Sequence, residues 1–172
     1  TGELRARMLT LDVQDTPNAE ALAFYKRAGM DADELARRKT ERPFNFADCV
    51  ATMPLGYTRL RNTETIQMGD RTWDIRMGGG HAPEHAFWSR DDHVVIGGDQ
   101  LLPSISPNLG VYPTEPDADP VSDWLNSCRK FQTFAADDQL VLGGHKLPFT
   151  GLPFRLNQLI ANHDGGLKRL LA

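Results

Sequence analysis

Three times in this chain an apolar, strand-like run ends in glycine and delivers a side chain that can hold a metal ion. Thr72-Trp73-Asp74-Ile75-Arg76-Met77 runs through Gly78-Gly79-Gly80 to His81. Val94-Val95-Ile96 runs through Gly97-Gly98 to Asp99, and Gln139-Leu140-Val141-Leu142 through Gly143-Gly144 to His145. Glycine lets a backbone turn sharply and approach a neighbour closely. Neutral imidazole is a common ligand of zinc and iron. A carboxylate at the end of a buried strand is costly unless it is paired or bound to a cation. In layered α/β sheets, functional side chains gather at strand ends. Taken singly, His81 reads equally well as a ligand or a loop histidine, Asp99 reads better as a turn aspartate, and His145 also fits a loop histidine; taken together, as His, Asp and His in one repeated context, they predict a shared metal site.

The surrounding pattern is that of an α/β layered domain. Residues 1–42 read as helical: Thr16 caps a helix beginning at Pro17 and stopping at Gly29, and Asp31 with Glu34 opens a second. Thr65–Met68 and Thr72–Met77 flank Gly69-Asp70-Arg71 as a hairpin, and His85–Trp88 with Val94–Ile96 form another. Leu101 to Asp119 has no periodicity and reads as a long functional loop. Asp119-Pro120 opens an amphipathic helix with Val121, Trp124, Leu125, Cys128 and Phe131 on one face. A last helix carries Leu156, Leu159, Ile160, Leu167 and Leu170, with a break expected at Gly165-Gly166. Trp73, Trp88 and Trp124 are expected in the core, and Cys49 and Cys128 as separate buried thiols.

At 172 residues and a net charge of -4, the chain fits a single domain and lacks the basic stripe of a nucleic-acid or anionic-membrane binder. No apolar stretch is long enough to span a bilayer, and no signal peptide is evident, so the expected compartment is cytoplasmic. His93, in a charged turn, reads as solvated. Lys146 and His163 are placed at a substrate pocket, and Arg155, like Lys146, is of the type that binds a substrate anion. There is no GxSxG nucleophile elbow and no P-loop.

Gly80-His81-Ala82-Pro83-Glu84-His85, Gly98-Asp99 and Gly144-His145, in this order, resemble the later motifs of the metallo-β-lactamase-fold hydrolases, of which the glyoxalase II-like enzymes are relatives. The resemblance covers roughly residues 65–172. It implies a four-layer αββα sandwich with the site at one edge of the sheets. It also implies that His81 binds a first metal, Asp99 bridges two and acts catalytically, His145 binds the second, and His85 lies behind the ligands. The implied cofactor is a pair of zinc ions, with iron or manganese as substitutes. The implied reaction is hydrolysis of an ester, thioester or amide bond in a small-molecule substrate.

The sequence departs from that family at its first motif. HxHxDH, which supplies further ligands, is absent, and His81 is the first histidine of the chain. With two ligands per metal instead of three or four, binding should be weak. The chain also begins without methionine, so the expectation is an N-terminally truncated, partial domain whose own activity is impaired. Such a domain exposes apolar surface and unpaired edges, and a homodimer is expected. Two other readings keep the scaffold and change the chemistry: a metal-free binding module, and iron-dependent oxidation of a sulfur substrate.

Overall fold

The computed structural model describes residues 8–54, 56–82 and 84–172, with the side chains of residues 84 and 85 outside the description. The chain divides into two compact units, Thr1–Arg59 with Val111–Ala118, and Leu60–Gly110 with Asp119–Ala172.

The first unit carries two nine-residue helices, α1 (Ala19–Arg27) and α2 (Ala32–Thr40), and a 3-10 turn at Phe46–Asp48. The cap of α1 is Asn18, whose side chain accepts from the Ala21 amide at 2.6 Å, and not Thr16 as the sequence suggested. Asparagine is at least as good a cap as threonine, and the helix starts where that bond closes. Gly29 ends α1 as expected. At φ 84° it lets its own N–H reach the Lys26 carbonyl and that of Met30 reach Tyr25, the paired closure of a left-handed helix end. Asp31 caps α2 by accepting from the Glu34 amide at 2.8 Å, while the Glu34 carboxylate turns to Arg37 and Arg38. Neither helix buries a residue. Cys49 is exposed here, contrary to expectation, because a unit with so little buried surface has no core to receive it.

The second unit is built on a five-stranded sheet in sequence order: β1 (Thr65–Met68), β2 (Arg71–Gly78), β3 (Glu84–Ser89), β4 (Val94–Gly98) and β5 (Leu140–Gly143). The first four strands are antiparallel, joined by the two expected hairpins, and β5 lies parallel to β4. A parallel neighbour requires a crossover. It is supplied by helix α3 (Pro120–Phe131), capped by Asp119, which accepts from Ser122. Helix α4 (Leu152–Leu171) follows β5 and packs on α3. Register places Ala86, Trp88, Val95 and Val141 on one face of the sheet. Trp124, Leu125, Cys128 and Phe131 of α3 and Leu152, Leu156 and Leu159 of α4 close over that face to form the core. Trp73, Trp88 and Trp124 are all buried.

Helix α4 does not break at Gly165-Gly166; it is continuous from Leu152 to Leu171. Each glycine costs about 1 kcal/mol of helix propensity. That is a penalty and not a barrier, and burial of Leu152, Leu156 and Leu159 anchors the preceding turns. Among the described residues, no helix is long and apolar enough to cross a membrane.

Candidate metal centre

The sheet topology brings two of the three glycine-led residues side by side. Because β4 and β5 run parallel, Gly98 pairs with Gly143, and the Gly144 amide donates to the Gly98 carbonyl at 2.8 Å. Asp99 and His145 therefore leave the sheet at the same end. Glycine at 144 leaves the Asp99 carboxylate its place: a Cβ there would lie 2.3 Å from Asp99 Oδ1. His81 arrives from the end of β2, and its approach depends on the glycines before it. Gly80 adopts φ 107°, and a Cβ on it would stand 2.4 Å from Trp124 Cβ and 2.5 Å from the Pro120 carbonyl. The first turns of α3 thus press directly on this turn, and Ser127 Oγ accepts from the Gly79 amide at 2.9 Å.

The result is a short row centred on Asp99. Its Oδ2 lies 3.4 Å from His81 Nε2, and its Oδ1 lies 3.5 Å from His145 Nε2. One carboxylate oxygen faces each ring. Both gaps exceed the 2.7–2.9 Å or so of a charge-assisted hydrogen bond. They match the roughly 3.3–3.4 Å between two ligands held at zinc distances on one tetrahedral ion. The His81 ring is oriented from behind: its Nδ1 lies 2.8 Å from the Asn108 carbonyl oxygen. A carbonyl only accepts, so Nδ1 is the donor in this contact, and Nε2 is the ring atom turned toward Asp99. The residues present fit a divalent metal, two ligands to each position. Among the described residues, no group of three or more His, Cys, Asp or Glu side chains is close enough to hold a single ion. The side chain of His85, expected behind the ligands, is outside the described residues.

Of the residues assigned to a substrate pocket, Lys146 lines a cavity of about 430 Å³ with Pro103, Ser104, Leu147, Pro148 and Phe149. It does so at φ 71°, a conformation rare outside glycine. His163 donates from Nδ1 to Leu159 O at 3.0 Å within α4 and packs at a tilt against Trp124. It lines a separate cavity of about 380 Å³ with Ser104, Ile105, Ser106, Arg155, Leu159 and Asn162. Arg155 is not a surface cation. Only 7% exposed, it spends its guanidinium on Leu102 O, Ile105 O and Gln158 Oε1. His93 does not face solvent alone: its Nδ1 sits 2.7 Å from Asp138, in an exposed pair.

Sequence reasoning missed two features. Asn108 acts through its backbone carbonyl, which every residue possesses, so no side-chain pattern marks it. Gln100, next to Asp99, is 1% exposed, and both amide atoms lack a partner among the described residues. It packs where a Cβ on Gly78 would stand.

Solved structures carry the same architecture. A β-lactamase domain protein from Burkholderia ambifaria superposes with a TM-score of 0.77 at 38% identity over 87% of this chain. The chain is a metallo-β-lactamase-fold protein. A metallo-β-lactamase family protein from Thermus thermophilus matches over 88% of the chain with a TM-score of 0.69 at 23% identity. A protein designated TTHA1623, solved in a di-iron-bound form, matches over 83% with a TM-score of 0.50 at 22% identity, covering 62% of that protein. The chain spans 43% and 46% of the lengths of the first two. No protein-family model and no curated protein matches the chain. Within the metallo-β-lactamase fold, the described residues supply one sheet and the helices over one of its faces.

Proposed function

We propose that this chain is part of a metal-dependent hydrolase acting on an ester, thioester or amide bond of a small molecule. In this reading His81 serves one metal position, His145 the other, and Asp99 both. The observation that carries the proposal is the two-sided placement of Asp99, with one oxygen 3.4 Å from one imidazole and the other 3.5 Å from the second. Metals held there would polarise a carbonyl and supply hydroxide near neutral pH. The chain's own residues do the rest. Asn108 fixes the His81 tautomer, and Asp99 sets the separation between the two histidines. Lys146, beside His145, offers a cation to an anionic group of the substrate, with Pro148 and Phe149 against its apolar part. His163 lies at the neighbouring cavity, which shares Ser104 with the first.

Ligands from outside this chain would complete each metal position, and zinc is the metal we propose. Metal analysis of the whole protein, with Asp99→Ala beside the wild type, tests the reading and includes iron and manganese. Two zinc ions per wild-type molecule, and loss of both metal and ester or thioester hydrolysis in Asp99→Ala, are expected. Full metal content and turnover in Asp99→Ala would refute the bridging role. Iron in place of zinc would favour the oxidative reading, and a metal-free wild type the binding module.

A further inference from the structure

Arg155 links the end of β5 to the metal centre through the loop that leaves Asp99. That loop, residues 99–110, has no regular structure among its described residues, so its carbonyls have no ladder to satisfy them. Arg155 lies in the first turn of α4, immediately beyond the loop that follows His145. Its Nε donates to Leu102 O at 2.7 Å and its Nη2 to Ile105 O at 2.8 Å. Leu102 lies three residues after Asp99, and Ile105 three residues before Asn108. The guanidinium therefore grips the middle of a segment whose ends are the shared ligand and the carbonyl that orients His81. Gln158, one turn along α4, accepts from Nη1. Leu101 and Leu102 of the same segment are both buried.

We propose that Arg155 is a positioning residue for the candidate metal centre, holding the 99–110 loop so that Asn108 O fixes the His81 ring at its distance from Asp99. The value of the proposal for catalysis rests on the metal reading above; the positioning itself does not. The fork geometry is essential, because two carbonyls three residues apart need two divergent N–H donors. Lysine keeps the charge but presents a single point of donation. Burial makes the group costly to hold and lowers its pKa, which fits a side chain placed for its geometry and not for solubility.

The test reads the His81 ring in the metal-free chain by long-range proton–nitrogen correlation of the imidazole nitrogens, at one fixed pH. Wild type is expected to show His81 as a single tautomer with Nδ1 protonated. Arg155→Lys is expected to shift it toward a mixture of tautomers. Phe131→Leu, a core truncation beside Trp88 on α3, removes stability away from the Arg155 contacts and is expected to leave it in place. An unchanged His81 signal in Arg155→Lys overturns the proposal, as does an equal change in both variants, which would mark a general loss of packing. If Arg155→Lys does not fold, Gln158→Ala decides: a smaller shift in the same direction supports the clamp, and no shift overturns it. In the whole protein, zinc affinity should fall roughly 10–100-fold in Arg155→Lys, the usual effect of removing an outer support of a metal ligand. A wild type that binds neither zinc, iron nor manganese refutes the metal reading and leaves the tautomer result to decide the clamp.

Discussion

Replacing Gly144 by alanine separates the candidate metal centre from the fold, because the added methyl meets only one movable group at short range. Its Cβ would stand 2.3 Å from Asp99 Oδ1, where ordinary contact begins near 3.4 Å; the next atoms, Asp99 Cγ and the Gly98 carbonyl carbon, are 3.3 Å away. The carboxylate oxygen must therefore retreat by about 1 Å, several times the roughly 0.2 Å that a metal site tolerates. The Asp99 side chain is 27% exposed and can rotate, so the fold should survive with a change of less than about 1 kcal/mol. The placement of Oδ1 against His145 and of Oδ2 against His81 should not survive. Zinc affinity of the whole protein, followed by calorimetric titration, is expected to drop by roughly 10–100-fold or more. Gly143→Ala is the counterpart. Its Cβ would meet the Leu101 backbone carbonyl at 2.8 Å, which cannot swing away, so roughly 1–3 kcal/mol of stability should be lost in urea unfolding. Wild-type zinc affinity in Gly144→Ala, or a stability loss as large as that of Gly143→Ala, would refute this reasoning.

Gly80→Ala combines left-handed strain with contacts to the Pro120 carbonyl and Trp124 backbone. It should cost roughly 2–6 kcal/mol and lower the melting temperature by at least about 5 °C in a thermal scan. Lys146→Gly relieves φ 71° and should leave stability within about 1 kcal/mol of wild type. If Lys146 receives an anionic substrate, KM rises while kcat holds; an unchanged KM removes it from the pocket. Burial pushes the Cys128 thiol up to about 12, so the folded state disfavours its thiolate. That stabilisation is complete below the ordinary thiol range near 9. It should be lost above it, at a slope approaching 1.4 kcal/mol per pH unit or so until about pH 12, which urea midpoints in reductant will show and Cys128→Ala will flatten. In thiol labelling at pH 8, exposed Cys49 should react promptly and Cys128 only on unfolding. With Leu140, Leu142 and Leu147 exposed, the chain is expected to self-associate, and a clean monomer on size-exclusion chromatography would count against it.

The sequence by itself determined the elements of the second unit and the identity of the three glycine-led residues. The hairpins follow from period-two alternation around Gly69-Asp70 and the charged 90–92 turn. Helix α3 follows from its Asp119 cap and one apolar face. These are signals within a few residues, and burial reinforces them. The same local logic misplaced the α1 cap, which a short-range bond to Asn18 decides, and it broke α4 at two glycines and buried Cys49, where the outcome turned on how much surface packs against the segment. Only the tertiary structure decided the geometry of the site. The parallel pairing of β4 with β5 sets Asp99 beside His145 across a gap that only Gly144 leaves open. A backbone carbonyl of Asn108 orients His81, and the Arg155 fork holds the loop between them. Backbone groups and long-range contacts carry these last steps, and they leave no residue pattern to read along the chain.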